Sequence, residues 1–261
     1  MITQMIDETR TEKIKRAAAL FSHATHAIAF SGAGISTESG IPDFRSPDSG
    51  LWTNVDPLEV ASIYGFKKNP QAFYDWVRPL TETTLNAQPN PAHDALVDLE
   101  RIGNLRGIIT QNIDALHNRA GSKVVHELHG HMRQATCIHC FEKFEADSIM
   151  KQFMVDGKAP TCPTCQGPIK PDVILFGEQL PIRVFNAAQE ATRRCDLMIV
   201  IGSSLEVAPA SDIPVLAKRT GAKLIIVNLE PTPADRLADV VIHDRAAVIL
   251  PKIVHQLERS S

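Results

Sequence analysis

Short, nearly uninterrupted apolar runs recur along this 261-residue chain and alternate with stretches of helical periodicity. His26-Ala-Ile-Ala-Phe-Ser31 reads as a strand running into a glycine turn. Leu105–Thr110, Asp196–Ile201 and Lys223–Asn228 are three more, Val240–Ile242 is a short fifth and Val124-Val125 a sixth. Strands buried on both faces of a parallel sheet have this continuous, β-branched character, whereas half-exposed strands alternate apolar and polar residues. Helical patterns lie between them, near Ala92–Ile102, Arg183–Arg194, Ser211–Thr220 and Ala246–Arg259, with an amphipathic surface helix over Thr9–Ser22 at the start. The alternation predicts an α/β fold with a doubly wound, Rossmann-like parallel sheet.

Two segments interrupt the alternation. Residues 46–88 hold several prolines and helical patterns around Pro57–Tyr64 and Pro70–Asn86; residues 131–171 hold the pair Cys137-Ile-His-Cys140 and Cys162-Pro-Thr-Cys165, with 21 residues between the knuckles. That spacing is the ligand pattern of a zinc ribbon, in which each C-x-x-C turn presents two thiolates and four thiolates close the shell, leaving zinc a structural role. His139 lies inside a knuckle, but the cysteines already complete the set. Residues 1–45, 89–130 and 172–261 are then one Rossmann-like domain, and the helical and zinc-ribbon insertions form a small domain beside it. A cleft between the two, at the carboxyl ends of parallel strands, is the expected ligand site. Cys195, the fifth cysteine, sits before an apolar strand and reads as a small buried residue.

Charge narrows the field of functions. With 27 basic and 30 acidic residues, a formal net charge of −3, the chain has no excess of basic residues for direct nucleic-acid binding. No apolar run approaches the roughly 20 residues that span a bilayer. The N-terminal segment has no apolar signal core, so a cytoplasmic protein with reduced thiols is expected, which argues against two disulfides.

The first strand leads into Ser31-Gly-Ala-Gly-Ile-Ser36, in which Gly32 and Gly34 form a G-x-G loop. Thr37 stands where a third glycine would complete the dinucleotide fingerprint, and no strand-end carboxylate follows at about 20 residues, which argues against a nicotinamide dehydrogenase. Taken alone, the loop suits a phosphate site and an ordinary strand–turn–helix equally. It continues, however, as Gly40-Ile-Pro-Asp-Phe-Arg45, and further blocks follow in order: Thr110-Gln-Asn-Ile-Asp114, Leu128-His-Gly130, the four cysteines, Phe176-Gly-Glu178, Gly202-Ser-Ser204 and Val227-Asn-Leu-Glu230. Together they resemble the sirtuin family of NAD-dependent protein-lysine deacylases, over about Ile28 to Ala247.

The resemblance implies a reaction in which acetyl-lysine, NAD and water give lysine, nicotinamide and O-acetyl-ADP-ribose through an alkylimidate. It implies that His129 is the general base, a role suited to a side chain whose unperturbed pKa is about 6.5. His126 and His131 compete on residue type alone. Asn112 and Asp114 complete the implied catalytic set. NAD contacts are implied for Gly32, Ala33, Gly34, Ser36, Asp43, Phe44, Arg45, Gln111, Asn112, Ile113, Asp114, Gly202, Ser203, Ser204, Asn228, Leu229, Glu230 and Ala247. Of these, Asn112, Asp114 and the serines serve equally as helix caps. Glu230 can accept two hydrogen bonds from a ribose diol. Val173, Ile174, Leu175, Phe176, Gly177 and Glu178 are implied to seat an acyl-lysine peptide as an added strand, a mode tolerant of flanking sequence. The same NAD site could also serve a protein ADP-ribosyltransferase, the alternative function.

Sirtuins that take succinyl or malonyl groups carry Y-x-x-R in the helical module. Here the segment is Phe73-Tyr-Asp-Trp-Val-Arg78, so Val77 stands where arginine would, and Arg78 lies one residue on, about 100° around a helix. Neutral acyl groups, acetyl first, are expected.

Overall fold

The computed structural model describes residues 2–43, 51 and 55–259, with side chains from Arg10 onward. Six strands form a parallel sheet: β1 (Ala27–Ser31), β2 (Leu105–Thr110), β3 (Val125–Glu127), then, after three strands of the insertion, β7 (Leu197–Ile201), β8 (Lys223–Val227) and β9 (Val240–Ile242). Their order across the sheet is β3-β2-β1-β7-β8-β9. The chain thus moves outward in one direction, returns to the centre and moves outward in the other, so the winding reverses between β1 and β7.

The continuous apolar runs are explained by what lies on the two faces. Ala27 and Ala29 of β1, with Leu197, Ile199 and Ile201 of β7 and Ile225 and Val227 of β8, point into a core roofed by α1 (Ile2–His23), α5 (Pro91–Ile102) and α10 (Ala246–Glu258). The intervening Ile28, Phe30, Met198, Val200, Leu224 and Ile226 point into a second core under α8 (Ile182–Arg194) and α9 (Asp212–Arg219). Apart from Ser31 and Lys223 at strand ends, every position of these strands is therefore apolar, because each face carries a helical layer. The start of α5 is set locally: Pro91 occupies the first turn, Asn90 and His93 form a capping box, and Gly103 closes the helix at φ +99°.

The two insertions meet in a third core. The helical module contains α2 (Pro57–Val60), α3 (Ile63–Lys68) and α4 (Pro70–Asn86); the other contains β4 (Gly130–Cys137), β5 (Lys143–Glu145), α7 (Ala146–Asp156) and β6 (Ile169–Val173). An antiparallel sheet in the order β5-β4-β6 carries the cysteine knuckles. Phe66 and Phe73 meet edge to face at 5.4 Å, and Tyr74 lies 4.9 Å from Phe153 of α7, so one aromatic cluster unites both modules. The buried Tyr74 hydroxyl donates to the Ile169 carbonyl at 2.8 Å. β4 and β6 reach Gly130 and Val173, a residue or two across the boundaries read from the sequence. The single helix expected over Pro57–Tyr64 is two helices. The chain breaks at Ala61–Ser62 because Phe176 pairs there, with Ile63 N–H donating to Phe176 O at 3.0 Å and Phe176 N–H to Ala61 O at 2.9 Å; Ser62 then caps α3. α1 is longer than its amphipathic pattern, beginning at Ile2.

Beneath the carboxyl ends of β1 and β2 lie two histidines, His93 of α5 and His117 of α6 (Leu116–Ala120), with ring centroids 5.0 Å apart. His117 Nε2 meets Ser31 Oγ at 2.8 Å, and Ser31 Oγ donates to Thr110 Oγ1 at 2.8 Å. Burial, reinforced by His93, pushes the His117 pKa down to about 3, and burial lowers that of His93 as well. The unfolded ring takes a proton below about pH 6.5 while the folded ring stays neutral, so the unfolded chain binds more protons. Stability is therefore intact above that pH and falls as the solution is acidified, by about 1.4 kcal/mol per pH unit for one such group. Denaturant titrations between pH 6.5 and 5 should show this slope, and His117→Asn should flatten it.

Candidate active site

The site is built where the winding reverses. Gly32 N–H donates to Ile201 O at 3.0 Å and Gly34 N–H to Gly202 O at 2.9 Å, so the loop after β1 lies backbone to backbone against the loop after β7. A Cβ on Gly34 would meet Gly202 Cα at 2.8 Å; one on Gly202, whose φ is +57°, would meet Ile35 N at 2.3 Å. Only glycine fits at either position. A third glycine is not needed, because the chain passes from a 3₁₀ turn at Ala33–Ile35 into another at Thr37–Ser39 and forms no long helix there.

Polar side chains from four segments converge beside this loop. Asp114 Oδ2 accepts from Ser36 Oγ at 2.7 Å and its Oδ1 from Leu116 N–H at 2.9 Å. Asn112 Nδ2 donates to Gly32 O and to Ser36 Oγ, both at 3.2 Å. Gln111 Nε2 donates to Ser203 Oγ at 2.8 Å, joining the end of β2 to the end of β7. Asp114 thus does cap a helix, through Leu116, while its second oxygen serves the cluster.

His129 Nδ1 lies 3.0 Å from the Gln111 carbonyl oxygen. A carbonyl only accepts, so Nδ1 carries the proton and the lone pair of the neutral ring sits on Nε2. Burial lowers the His129 pKa, and the hydrogen bond to Gln111 opposes it in part. A half-buried imidazole that is neutral at physiological pH, with a fixed tautomer, is chemically a base. Among the described residues, His126 and His131 make no such bond to Gln111: His126 lies on β3, paired with Ile109, and His131 on β4, its Nδ1 buried without a partner. Gly130, at φ +75°, turns the chain sharply after His129; a Cβ there would meet Asp172 O at 2.0 Å.

The other expected site residues fall at strand ends around this cluster. Ser203 is buried and Ser204 half-buried after β7. Asn228 Nδ2 donates to Glu230 O at 2.6 Å, which leaves Leu229 and Glu230 exposed past β8. Ala247 is half-buried in the first turn of α10. Ile113 packs against the small-module core, and Asp43 O accepts from Leu51 N–H at 3.0 Å. Phe44 and Arg45 lie outside the described residues. In the segment Val173–Glu178, Ile174 N–H donates to the His129 carbonyl at 2.8 Å, so this segment is tied to the His129 backbone.

Sequence reasoning passed over the layer beneath. Ser31, Thr110, His93 and His117 support the cluster, with Thr110 Oγ1 accepting from Asn112 N–H at 3.1 Å, and Asn90 Nδ2 donates to Ile35 O at 2.8 Å. Ser31 and Thr110 stand in the sequence as the first residues of the blocks Ser31–Ser36 and Thr110–Asp114; the only signal for Asn90 and His93 was the helix start, and nothing local marked His117.

Cys137 Sγ lies 3.5 Å from Cys165 Sγ and Cys140 Sγ 3.6 Å from Cys162 Sγ, with all four sulfurs within 4.8 Å of one another. A disulfide needs about 2.05 Å. Thiolates around zinc at about 2.3 Å stand roughly 3.8 Å apart, so the donor set fits a tetrahedral zinc ion. Cys137 Sγ also accepts from His139 N–H at 3.4 Å, while the His139 ring packs over Gly167 and serves the turn. Cys195 is buried, with Sγ donating to Thr192 O at 3.1 Å.

A family profile described as the Sir2 family matches residues 32–209, which take in the glycine loop, the polar cluster, His129 and the cysteines. The chain belongs to the Sir2 family. Among related sirtuins, the NAD-dependent protein deacylase 2 of Archaeoglobus fulgidus is 49% identical over 249 residues, 95% of this chain and 97% of that one. The NAD-dependent protein deacetylase of Sulfurisphaera tokodaii is 48% identical, over 90% of this chain and 92% of its own. A solved structure described as giving the structural basis for the mechanism and regulation of Sir2 enzymes superposes with a TM-score of 0.92 at 48% identity, covering 96% of this chain and 99% of that one. Sir2Af2 bound to a myristoylated histone peptide is similar at 0.82 and 42%, covering 96% and 98%. A Sir2 structure with a deacetylated p53 peptide and 3′-O-acetyl ADP-ribose is similar at 0.88 and 37%, covering 93% and 98%.

As in other closed four-thiolate sites, the metal's binding energy is folding energy for the module it staples. Freshly purified protein should contain about one zinc per chain. Its removal by a chelator should loosen the aromatic core around Phe153 before the parallel sheet, seen as an early loss of near-ultraviolet circular dichroism with the far-ultraviolet signal largely kept.

Proposed function

We propose that this sirtuin is a protein-lysine deacetylase in which His129 Nε2 is the general base and Asn112, Asp114, Gln111 and Ser36 orient NAD and the acyl-lysine. NAD dependence and protein deacylation are the activities of its named relatives, which match it over nearly its full length. When bound, NAD supplies a ribose carbon activated by a positively charged leaving group, nicotinamide; the acyl group ends on ADP-ribose. The observation that carries the reading is the fixed tautomer of His129, which leaves a lone pair on Nε2 next to a hydrogen-bonded cluster at the strand ends.

Each residue then has a physical task. The close-packed Gly32–Gly34 and Gly202 loops let backbone N–H groups reach phosphate oxygens, with Ala33, Ser203 and Ser204 beside them. Asn228 and Glu230, with Leu229 between them, suit the adenosine hydroxyls, and Asp43 and Ala247 are assigned to NAD on sequence alone. Phe44 and Arg45 are assigned to NAD on sequence alone. Ile113 and Asp114 face the nicotinamide side. A ribose hydroxyl held within reach of Nε2 gives up its proton to a ring kept neutral by burial. Val173–Glu178 receives the peptide as an added strand, mostly by backbone hydrogen bonds. Among the described residues no helix is long and apolar enough to cross a membrane, and a reduced four-thiolate site suits the cytoplasm.

The acyl pocket favours neutral groups. Val77 is buried in the small-module core. Arg78, the one nearby cation on α4, turns away: its Nη2 donates to Met154 O at 2.7 Å, and its guanidinium lies over Phe153, 5.7 Å from the ring centroid. It serves the carboxyl end of α7, where a cation offsets the helix dipole.

His129→Ala should lower turnover by at least about a hundredfold, the scale of general-base catalysis, while NAD affinity by calorimetry stays near that of the parent; unchanged deacetylation would remove His129 from the mechanism. On matched peptides, kcat/KM for acetyl-lysine should exceed that for succinyl-lysine by more than about tenfold, because even 1.4 kcal/mol in the transition state is a factor of ten and a buried unpaired carboxylate is more costly than that. Equal efficiency would mean that Arg78 leaves α7 or that another cation reaches the pocket.

A further inference from the structure

Lys170, on β6, is almost fully buried, and its ammonium makes three contacts. Nζ donates to Val173 O at 2.6 Å and to Pro171 O at 3.1 Å, and lies 3.1 Å from Glu178 Oε2. An ammonium has three N–H donors and no acceptor, so the group is saturated. Glu178 Oε2 in turn accepts from Leu175 N–H at 2.8 Å, and Glu178 N–H donates to Leu175 O at 3.0 Å. Starting from one lysine, hydrogen bonds hold the backbone at 171, 173, 175 and 178. Between these points lies Ile174, whose N–H donates to the His129 carbonyl.

Burying a lysine side chain is unfavourable unless its charge is matched, and a packed apolar residue would stabilise the strand at least as well. A stability role alone therefore does not explain it. What the ammonium does that an apolar side chain cannot is orient carbonyls and a carboxylate along an irregular segment. We infer that Lys170 is a positioning residue for the peptide substrate: with Glu178 it clamps Val173–Glu178 in the shape that receives the incoming strand. The inference rests on the reading of that segment as the peptide seat. A backbone ordered in advance costs less to order on binding, so the clamp acts on peptide affinity. NAD, held at the ends of β1, β2, β7 and β8, does not touch it.

The test uses the zinc-loaded full chain and an acetyl-lysine peptide. Lys170→Met should raise the peptide KM at least about tenfold, with kcat and the KM for NAD within about threefold of the parent, the pattern of lost uniform binding. Should that variant not fold, Lys170→Gln removes the charge while keeping a donor, and should move the peptide KM in the same direction. A merely structural lysine would lower Tm and the active fraction but leave the peptide KM of the folded protein unchanged, and that result overturns the inference. So does a variant in which kcat or the NAD KM changes as much as the peptide KM. Phe176→Ala reports on the seat itself. If it raises the peptide KM and the Lys170 variants do not, the clamp alone is wrong. If neither moves it, the segment is not the peptide seat and both readings fall.

Discussion

The site depends on one close approach, the contact of the loop after β1 with the loop after β7 around Gly34 and Gly202. At 2.8 Å or less from neighbouring backbone there is no room for a Cβ on either side. The approach occurs where the winding of a parallel sheet reverses, because only there do two adjacent strands send their chains to opposite faces and leave a crevice. Ser36, Gln111 and Ser203 stand around that crevice because each directly follows a strand or its glycine loop. Gln111 reaches Ser203 because the strands beneath them are in register, Ser31 opposite both Thr110 and Ile201.

Polar groups gathered at the top of an apolar sheet must be supported from below. Ser31, Thr110 and the neutral His117 form that support, and burial is what keeps the imidazole uncharged. The same physics acts on His129, where burial lowers the pKa and the Gln111 carbonyl fixes the tautomer. Structure and reactivity are thus two results of one environment: a low-dielectric layer with few, directed hydrogen bonds.

The small module turns two unrelated insertions into one wall of the cleft. Tyr74, Phe66 and Phe73 come from the helical insertion and Phe153 from the other, while the cysteines lock the antiparallel sheet on which they pack. That shared core also takes up Arg78, whose guanidinium is held by α7. Residues 76 apart along the chain are thereby tied together.

The doubly wound sheet, the glycine loop, the zinc knuckles and the polar strand ends were legible in the sequence, because each is a local pattern. Buried parallel strands are uniformly apolar, and C-x-x-C turns present paired thiolates. The tertiary structure decided what local patterns do not encode. It split the helix expected over Pro57–Tyr64, because Phe176 pairs with Ala61 and Ile63. It distinguished His129 from His126 and His131, which residue type left equal, by the single carbonyl that reaches Nδ1. It also gave Lys170 and Glu178, and His93 and His117, their partners. Those contacts join residues distant in the chain, and their energies depend on burial and direction, quantities that exist only once the three cores have formed.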